Sequence, residues 1–248
     1  MKEVINVDIV MATCKTEKLA INAIKTFMKF SDGFNFNYYI VENSPNDYGD
    51  SLTSLSENVT WVQNDDGRGG SSGLSSSLEK GLSYCKSKYV FFCHADIIAC
   101  NPNWMSFLIE KLEKENYSVT SFHGHWGYSN WHNERIDACH PGGILTYTEL
   151  AKKVSLAPIY KDGILLWDSA ATLTKHCIEN DLKYYWCKNT VLEEYNDTLG
   201  KPPFDSLGRV IKCFDDDGDV IFLHLRRGVP RETGKYTKVK KGIVTIND

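Results

Sequence analysis

The chain has 248 residues, 42% hydrophobic and 24% charged, which is enough apolar material for one large α/β unit or two small ones. A formal net charge of −4 and a pI near 6.0 exclude a global electrostatic drive toward nucleic acid or anionic lipid. No apolar run approaches the ~20 residues of a membrane span. Eight cysteines, at 14, 85, 93, 100, 139, 177, 187 and 213, contain no Cys-x-x-Cys pair, and the first residues carry no apolar signal core. This predicts reduced thiols in a cytoplasmic protein, rather than a disulfide framework or a zinc-thiolate site.

Val4 to Thr13 reads as a strand. Thr16 to Leu19 opens a helix whose apolar positions recur at Leu19, Ile21, Ala23, Ile24, Phe27 and Met28. Asp32-Gly33 is a turn. Phe36 to Val41 is a second strand, Leu52 to Ser56 a short helix, and Val59 to Val62 a third strand. Asn64 to Gly73 is rich in glycine and serine and runs without a gap into helical periodicity over Leu74 to Cys85. A glycine-rich loop before a helix brings backbone N–H groups close to a phosphate or sugar. There is no GxxxxGK[ST], which excludes a P-loop. Tyr89 to Cys93 is a continuous β-prone run, the pattern of a strand covered on both faces in a parallel sheet. It breaks off at His94-Ala95-Asp96. An imidazole and a carboxylate at such a strand end lie where open α/β sheets hold their ligands. A carboxylate there can hold a divalent cation, which in turn binds a diphosphate.

The second half is mixed. Trp104 to Leu112 reads as a helix after Pro102, and Val119 to Phe122 as a strand. His123 to Gly143 is long, irregular and aromatic. Ile144 to Tyr147 is a short strand and Thr148 to Val154 a short helix. Asp168 to Asn180 is a helix, Lys183 to Cys187 a strand, and Val220 to Leu225 a strand running into Arg226-Arg227-Gly228. The β-α-β-α-β-α-β order of residues 1–100 argues for a parallel sheet with helices on both sides. Residues 101–225 are expected to close over a site, and 226–248 form a basic tail, all within a single domain spanning 1–248.

Several segments, in order, resemble the GT-A glycosyltransferases, family 2 in particular, over roughly residues 4 to 185 with a weaker echo at 220 to 235. Val7 to Thr13 resembles the family's first strand, whose final Thr carries nucleotide contacts. Ile40-Val41-Glu42-Asn43-Ser44-Pro45-Asn46-Asp47 resembles its V-D-D-x-S-x-D segment, with Glu42 at the acid that helps hold the nucleoside. Asn64 to Gly73 and the helix after it resemble the N-x-G segment. Lys88 to Ile98 resembles the metal-binding Asp-x-Asp strand, with His94 at the first Asp and Asp96 kept at the second. His140-Pro141-Gly142-Gly143-Ile144-Leu145 resembles the small-residue segment lining donor sugar and acceptor. Trp167-Asp168 resembles the E-D segment, whose acid is the base of inverting members, with Trp167 in place of Glu. His224 resembles the late metal-binding His of some members.

The resemblance implies a GT-A type nucleotide-sugar-binding fold, a mainly parallel central sheet flanked by helices with a mixed second half. It implies a glycosyltransferase that uses a nucleotide sugar, expected to be a UDP-sugar, and Mn2+ or Mg2+ held by Asp96 and His224. Donor contacts are expected at Thr13, Glu42, Asp65, Arg68, His94, Ala95 and Asp96. Gly142, Gly143, Arg226 and Arg227 complete that set, and Arg231 can also reach phosphate oxygens. Asp168 is expected to be the general base, which predicts inversion. Trp126, Tyr128, Trp131 and Trp167 are the expected acceptor contacts. Asp8 joins Glu42 and Asp65 as an acid able to accept from ribose hydroxyls or a uracil N–H.

Three other readings compete. His123, His125, His132 and His140 lie within eighteen residues, a spacing that suits a zinc hydrolase, although no HExxH is present. The replaced first Asp also suits a non-catalytic nucleotide or glycan binder. Arg226 to Lys241 carries seven cations against Glu232, which could meet a membrane surface, a donor diphosphate or nucleic acid. The expected acceptor is a glycan or glycolipid. The alternative is a hydroxymethylated base in DNA, flipped onto Trp126, Tyr128 and Trp131.

Overall fold

The computed structural model describes residues 4–45, 47–64, 70–129, 135–194 and 209–225. Strand β1 (Ile5–Thr13) leads to α1 (Glu17–Lys29), β2 (Phe34–Glu42), α2 (Gly49–Thr53), β3 (Val59–Gln63), α3 (Gly70–Leu82) and β4 (Tyr89–His94). Then follow β5 (Ile97–Ala99), α4 (Trp104–Lys114), β6 (Val119–Ser121), β7 (Gly124–Ser129), β8 (Arg135–Cys139), β9 (Gly143–Tyr147) and α5 (Thr148–Ala151). The described chain continues through β10 (Ile159–Lys161), β11 (Ile164–Trp167), α6 (Thr172–Glu179), β12 (Tyr184–Trp186), β13 (Thr190–Glu194), β14 (Arg209–Phe214) and β15 (Val220–Leu225).

Seven strands form the central sheet, in the order β12-β6-β9-β4-β1-β2-β3. β1 pairs in parallel with β2 and β4, and β2 in parallel with β3. The sheet is therefore mainly parallel, as expected, and β9 is the strand that runs against its neighbours β4 and β6. Alternate residues of a strand face opposite sides, and both sides are covered here. Val7, Ile9 and Met11 of β1 pack with α1 and α4, whereas Val10 packs with Leu78 and Leu82 of α3. Phe91 and Cys93 of β4 join the first layer, Val90 and Phe92 the second. That two-sided cover is why Tyr89 to Cys93 has no polar residue.

Helix α1 buries Leu19, Ala20, Ala23, Ile24 and Phe27, an apolar stripe at helical spacing. Met28, expected to face inward, lies beside the stripe and is exposed. α2 begins three residues before the expected start, and α6 starts at Thr172 rather than Asp168. The first core layer is centred on Trp104. Its ring stacks on Phe27 at 4.5 Å, and its indole N–H donates to the Phe30 carbonyl at 3.0 Å. Phe122 and Phe222 stack at 3.8 Å beside it, which fastens β15 to the main body.

A second sheet, β13-β14-β15-β5, is antiparallel and sets His224 opposite Ile97, one residue past Asp96. No helix among the described residues is long and apolar enough to cross a membrane.

α3 rides directly on the sheet at Gly81. A Cβ there would overlap Val10 Cγ1 and come 3.1 Å from Val41 Cγ2. Overpacking of this kind costs about 1–3 kcal/mol, so Gly81→Ala is expected to lower the urea midpoint with an unchanged m-value. All eight cysteines are free, and only Cys14 and Cys100 are partly exposed. Burial pushes the thiols of Cys100, Cys139 and Cys177 up to about 12. The thiolate is the reactive form, so native protein at pH 8 should label rapidly at no cysteine but Cys14, and at all eight after denaturation.

Candidate functional site

From β1 the chain moves outward to β2 and β3, then crosses back to β4 on the other side of β1. Open α/β sheets form their ligand crevice at such a reversal, beyond the carboxyl ends of the strands. In register, Thr13 ends β1 beside Glu42 of β2, and Ala12 lies beside His94 of β4.

Glu42 is fully buried, and its carboxylate works within the protein. It accepts from the Lys15 backbone N–H at 3.0 Å and from the hydroxyls of Ser44 and Tyr48. Lys15 has φ 57°, in the left-handed region, and the Glu42 bond holds it there. Burial, and donation to Glu42, push the Tyr48 phenol far above its ordinary range. Thr13 is buried and donates from its hydroxyl to the Val41 carbonyl at 3.3 Å. Asn64 donates to Asn43 Oδ1 at 3.0 Å and to Ser76 Oγ at 3.2 Å, which ties the end of β3 to α3. Asp65, Arg68, Arg226, Arg227, Arg231, Trp131 and His132 lie outside the described residues.

Asp8 requires a correction. It lies in the first half of β1, about 16 Å of extended chain before Thr13. Its carboxylate accepts from the Lys86 and Ser87 N–H groups, at 2.6 and 2.7 Å, and from Ser87 Oγ and Asn37 Nδ2. It therefore clamps the turn before β4, at the opposite end of the sheet from the crevice. A groove of about 830 Å³, lined by Ile5, Lys88 and Glu113 among others, is also at that end and contains none of the crevice residues.

Past β4 the chain carries His94, the buried Ala95 and Asp96, the last only 3% exposed. The Asp96 carbonyl accepts from the Leu225 N–H at 2.8 Å, which continues the β5–β15 pairing to the cluster. His224 Nε2 stands 3.5 Å from Asp96 Oδ1, and His94 Nδ1 3.8 Å from the same oxygen. The ligand atoms of His94, Asp96 and His224 all lie within 4.8 Å of one another. His94 Nε2 is buried with no hydrogen-bond partner among the described residues. Burial pushes the His94 imidazole down to about 4, against the pull of Asp96 and Asp168 and with a further push from His224. The ring is neutral at pH 7, the form that binds a metal. A carboxylate and two imidazoles suit a divalent transition metal such as Mn2+ better than Mg2+, which prefers oxygen alone.

His123 and His140 stand behind this group. Their rings stack at 4.3 Å and lie 5.0 and 5.1 Å from His224. The sequence grouped them with His125 and His132, whereas their observed company is His224. Proximity of residues so distant in the chain leaves no local signal; the only hint is that His123 and His224 both occur at strand ends. Gly142 makes room for the rings, since a Cβ there would come 2.9 Å from His140 Nδ1 and 3.1 Å from His224 Cε1. A Cβ on Gly143 would meet Phe122 at 3.0 Å and Phe222 at 3.3 Å.

Asp168 lies in the turn between β11 and α6, half-buried, and accepts from the Ser169 N–H at 2.7 Å. The helix expected to begin at Asp168 begins four residues later, and Ala171 occupies the N-cap of α6. The negative charge of Asp168 acts at His94, as the smallest of the influences on that ring. Trp167 is 2% exposed and packs with Ala138, Leu166 and Ala171. Trp126, Tyr128 and His125 fall on β7, and their side chains lie outside what the structure describes.

A sequence model described as glycosyl transferase family 2 matches residues 8–158, more than half of the chain. No curated protein matches the sequence. Among solved structures, a mannosyltransferase from Pyrobaculum calidifontis, in complex with GDP-Man and Mn2+, aligns with a TM-score of 0.54 at 13% identity. The alignment covers 73% of this chain and 54% of that one. S. aureus TarS 1–349 aligns at 0.48 and 15% identity, covering 68% and 53%. Its complex with UDP-GlcNAc aligns at 0.49 and 12%, covering 69% and 53%. At these identities the likeness is one of fold, and this chain spans about half the length of the structures it matches.

Proposed function

This chain belongs to glycosyl transferase family 2, and on that premise we propose that it transfers a sugar from a nucleotide sugar to an acceptor hydroxyl. The observation that carries the reading is the Asp96–His224 pair. A buried carboxylate and an imidazole nitrogen stand 3.5 Å apart at the carboxyl ends of the strands, with His94 beside them. Asp96, His224 and His94 are the residues that would hold a divalent cation, Mn2+ in preference to Mg2+. Such an ion, when bound, supplies Lewis-acid stabilisation of the departing diphosphate.

The chain's own residues do the rest. Glu42, through Lys15, shapes the end of β1 where the nucleoside is expected. Asp168 takes the proton of the acceptor hydroxyl as general base. The acceptor oxygen bonds to the anomeric carbon while the bond from that carbon to the diphosphate breaks, and the diphosphate leaves with the electron pair. Attack opposite the leaving group inverts the anomeric centre. Trp167, packed against Leu166 and Ala171, steadies the backbone that carries Asp168. The acceptor is a hydroxyl of a glycan or glycolipid, met by the aromatic residues Trp126, Tyr128 and Trp131.

A melting-temperature panel of UDP-Glc, UDP-GlcNAc and GDP-Man, with Mn2+ or with chelator, tests this without knowledge of the acceptor. A ligand at 100 times its Kd adds about 2.7 kcal/mol, which for a chain of this size raises Tm by roughly 5–10 °C. One donor should do so, and only with metal. If no nucleotide sugar shifts the melt in either condition, the reading is wrong.

A further inference from the structure

Hydrogen bonds inside the histidine cluster assign the proton on each ring. A carbonyl oxygen only accepts, so His123 Nδ1, 3.2 Å from the Gly124 carbonyl, must be the donor. A neutral imidazole has one N–H, which leaves His123 Nε2 with a lone pair. His224 Nδ1 lies 2.9 Å from that nitrogen and therefore donates to it. The proton of a neutral His224, the form a metal ligand takes, is then on Nδ1, and its Nε2 is bare. That bare nitrogen is the atom 3.5 Å from Asp96 Oδ1. The order of donation is His224 to His123 to the Gly124 carbonyl, with the open lone pair at the Asp96 end.

We propose that His123 is a positioning residue: by accepting the Nδ1–H of His224 it holds that ring in the tautomer and orientation whose Nε2 faces Asp96, ready to bind a divalent cation. The inference rests on the metal reading of Asp96 and His224 given above. A metal-bound histidine usually gives its other N–H to a carboxylate, a carbonyl or a water. Here a neutral ring does that work, so His224 is oriented without a second negative charge beside Asp96. The ring planes of His123 and His224 lie 23° apart with centroids at 5.0 Å, and the missing Cβ of Gly142 leaves space for His224 against them. His140 is committed differently, since its Nδ1 accepts the Gly142 N–H at 2.9 Å. In this arrangement His123 and His140 support the site, and His224 alone of the three presents a lone pair to Asp96.

Two measurements test the assignment. Long-range nitrogen–proton NMR on the metal-free wild type reads the tautomers directly. His123 and His224 should both carry a proton on Nδ1, and a His224 protonated on Nε2 but not on Nδ1 overturns the proposal. Calorimetric titration of Mn2+ into wild type, His123→Phe and His123→Gln supplies the second readout. Phe keeps a flat ring in the stack but cannot accept, and should weaken Mn2+ binding roughly 10–100-fold. Gln offers an accepting oxygen and should restore most of the affinity. A wild type that binds no Mn2+ sinks the metal reading and this inference together. A folded His123→Phe protein with wild-type Mn2+ affinity overturns the role of His123 alone. If the Phe variant does not fold, the wild-type NMR result decides.

Discussion

An Asp168→Asn variant is expected to lose roughly 10²–10⁴-fold in kcat, the usual contribution of a positioned base, while binding donor as tightly as the parent. Asn preserves the shape and can still accept the Ser169 N–H, which Asp168 accepts at 2.7 Å. It loses only the capacity to take a proton. Since α6 is capped at Ala171, the substitution leaves the helix end intact and Tm should not move. A steady-state measurement that separates kcat from the donor KM checks this. Parental kcat in the Asn variant would remove Asp168 from the chemistry.

Asp96→Ala is expected to cost about 10³-fold or more in transfer, the equivalent of the several kcal/mol a metal supplies at a charged leaving group. Unlike Asp168→Asn, it should also weaken donor binding. Gly142→Ala offers a control that removes no ligand. Its Cβ would come 2.9 Å from His140 and 3.1 Å from His224, so both rings must give way and the set of His224 against Asp96 is disturbed. Gly142→Ala should therefore reproduce part of the Asp96→Ala defect, and excess Mn2+ should rescue it. Excess Mn2+ should not rescue Asp96→Ala. Equal activity of Gly142→Ala and wild type at limiting Mn2+ would show that the position of His224 is not critical.

The parallel half of the sheet was legible because its physics is local. A strand covered on both faces must be apolar throughout, and Tyr89 to Cys93 is. The strand ends were legible for the same reason, since polar residues resume where cover stops. Pairing direction was not legible. Nothing in Ile144 to Tyr147 distinguishes a strand that runs against its neighbours, as β9 does, from one that runs with them. Asp8 was misread because an acid at a strand looks like a ligand, although its partners are the N–H groups of a turn far along the chain. The start of α6 was misplaced because Asp suits an N-cap, and the turn from Ser169 to Ala171 carries no Gly or Pro to mark it. His224 beside Asp96 came from family resemblance, and the β5–β15 pairing is its physical cause. The His123–His224 bond depends on that same long-range pairing, and for this reason spacing could not reveal it.

The most direct test of the account is calorimetric titration of UDP and GDP into wild type and Asp96→Ala, each with Mn2+ and with chelator. Wild type should bind one nucleoside diphosphate, chelator should abolish that binding, and Asp96→Ala should resemble the chelated wild type. Tight metal-independent binding that survives Asp96→Ala, or no binding of either nucleotide in any condition, would contradict the proposed function.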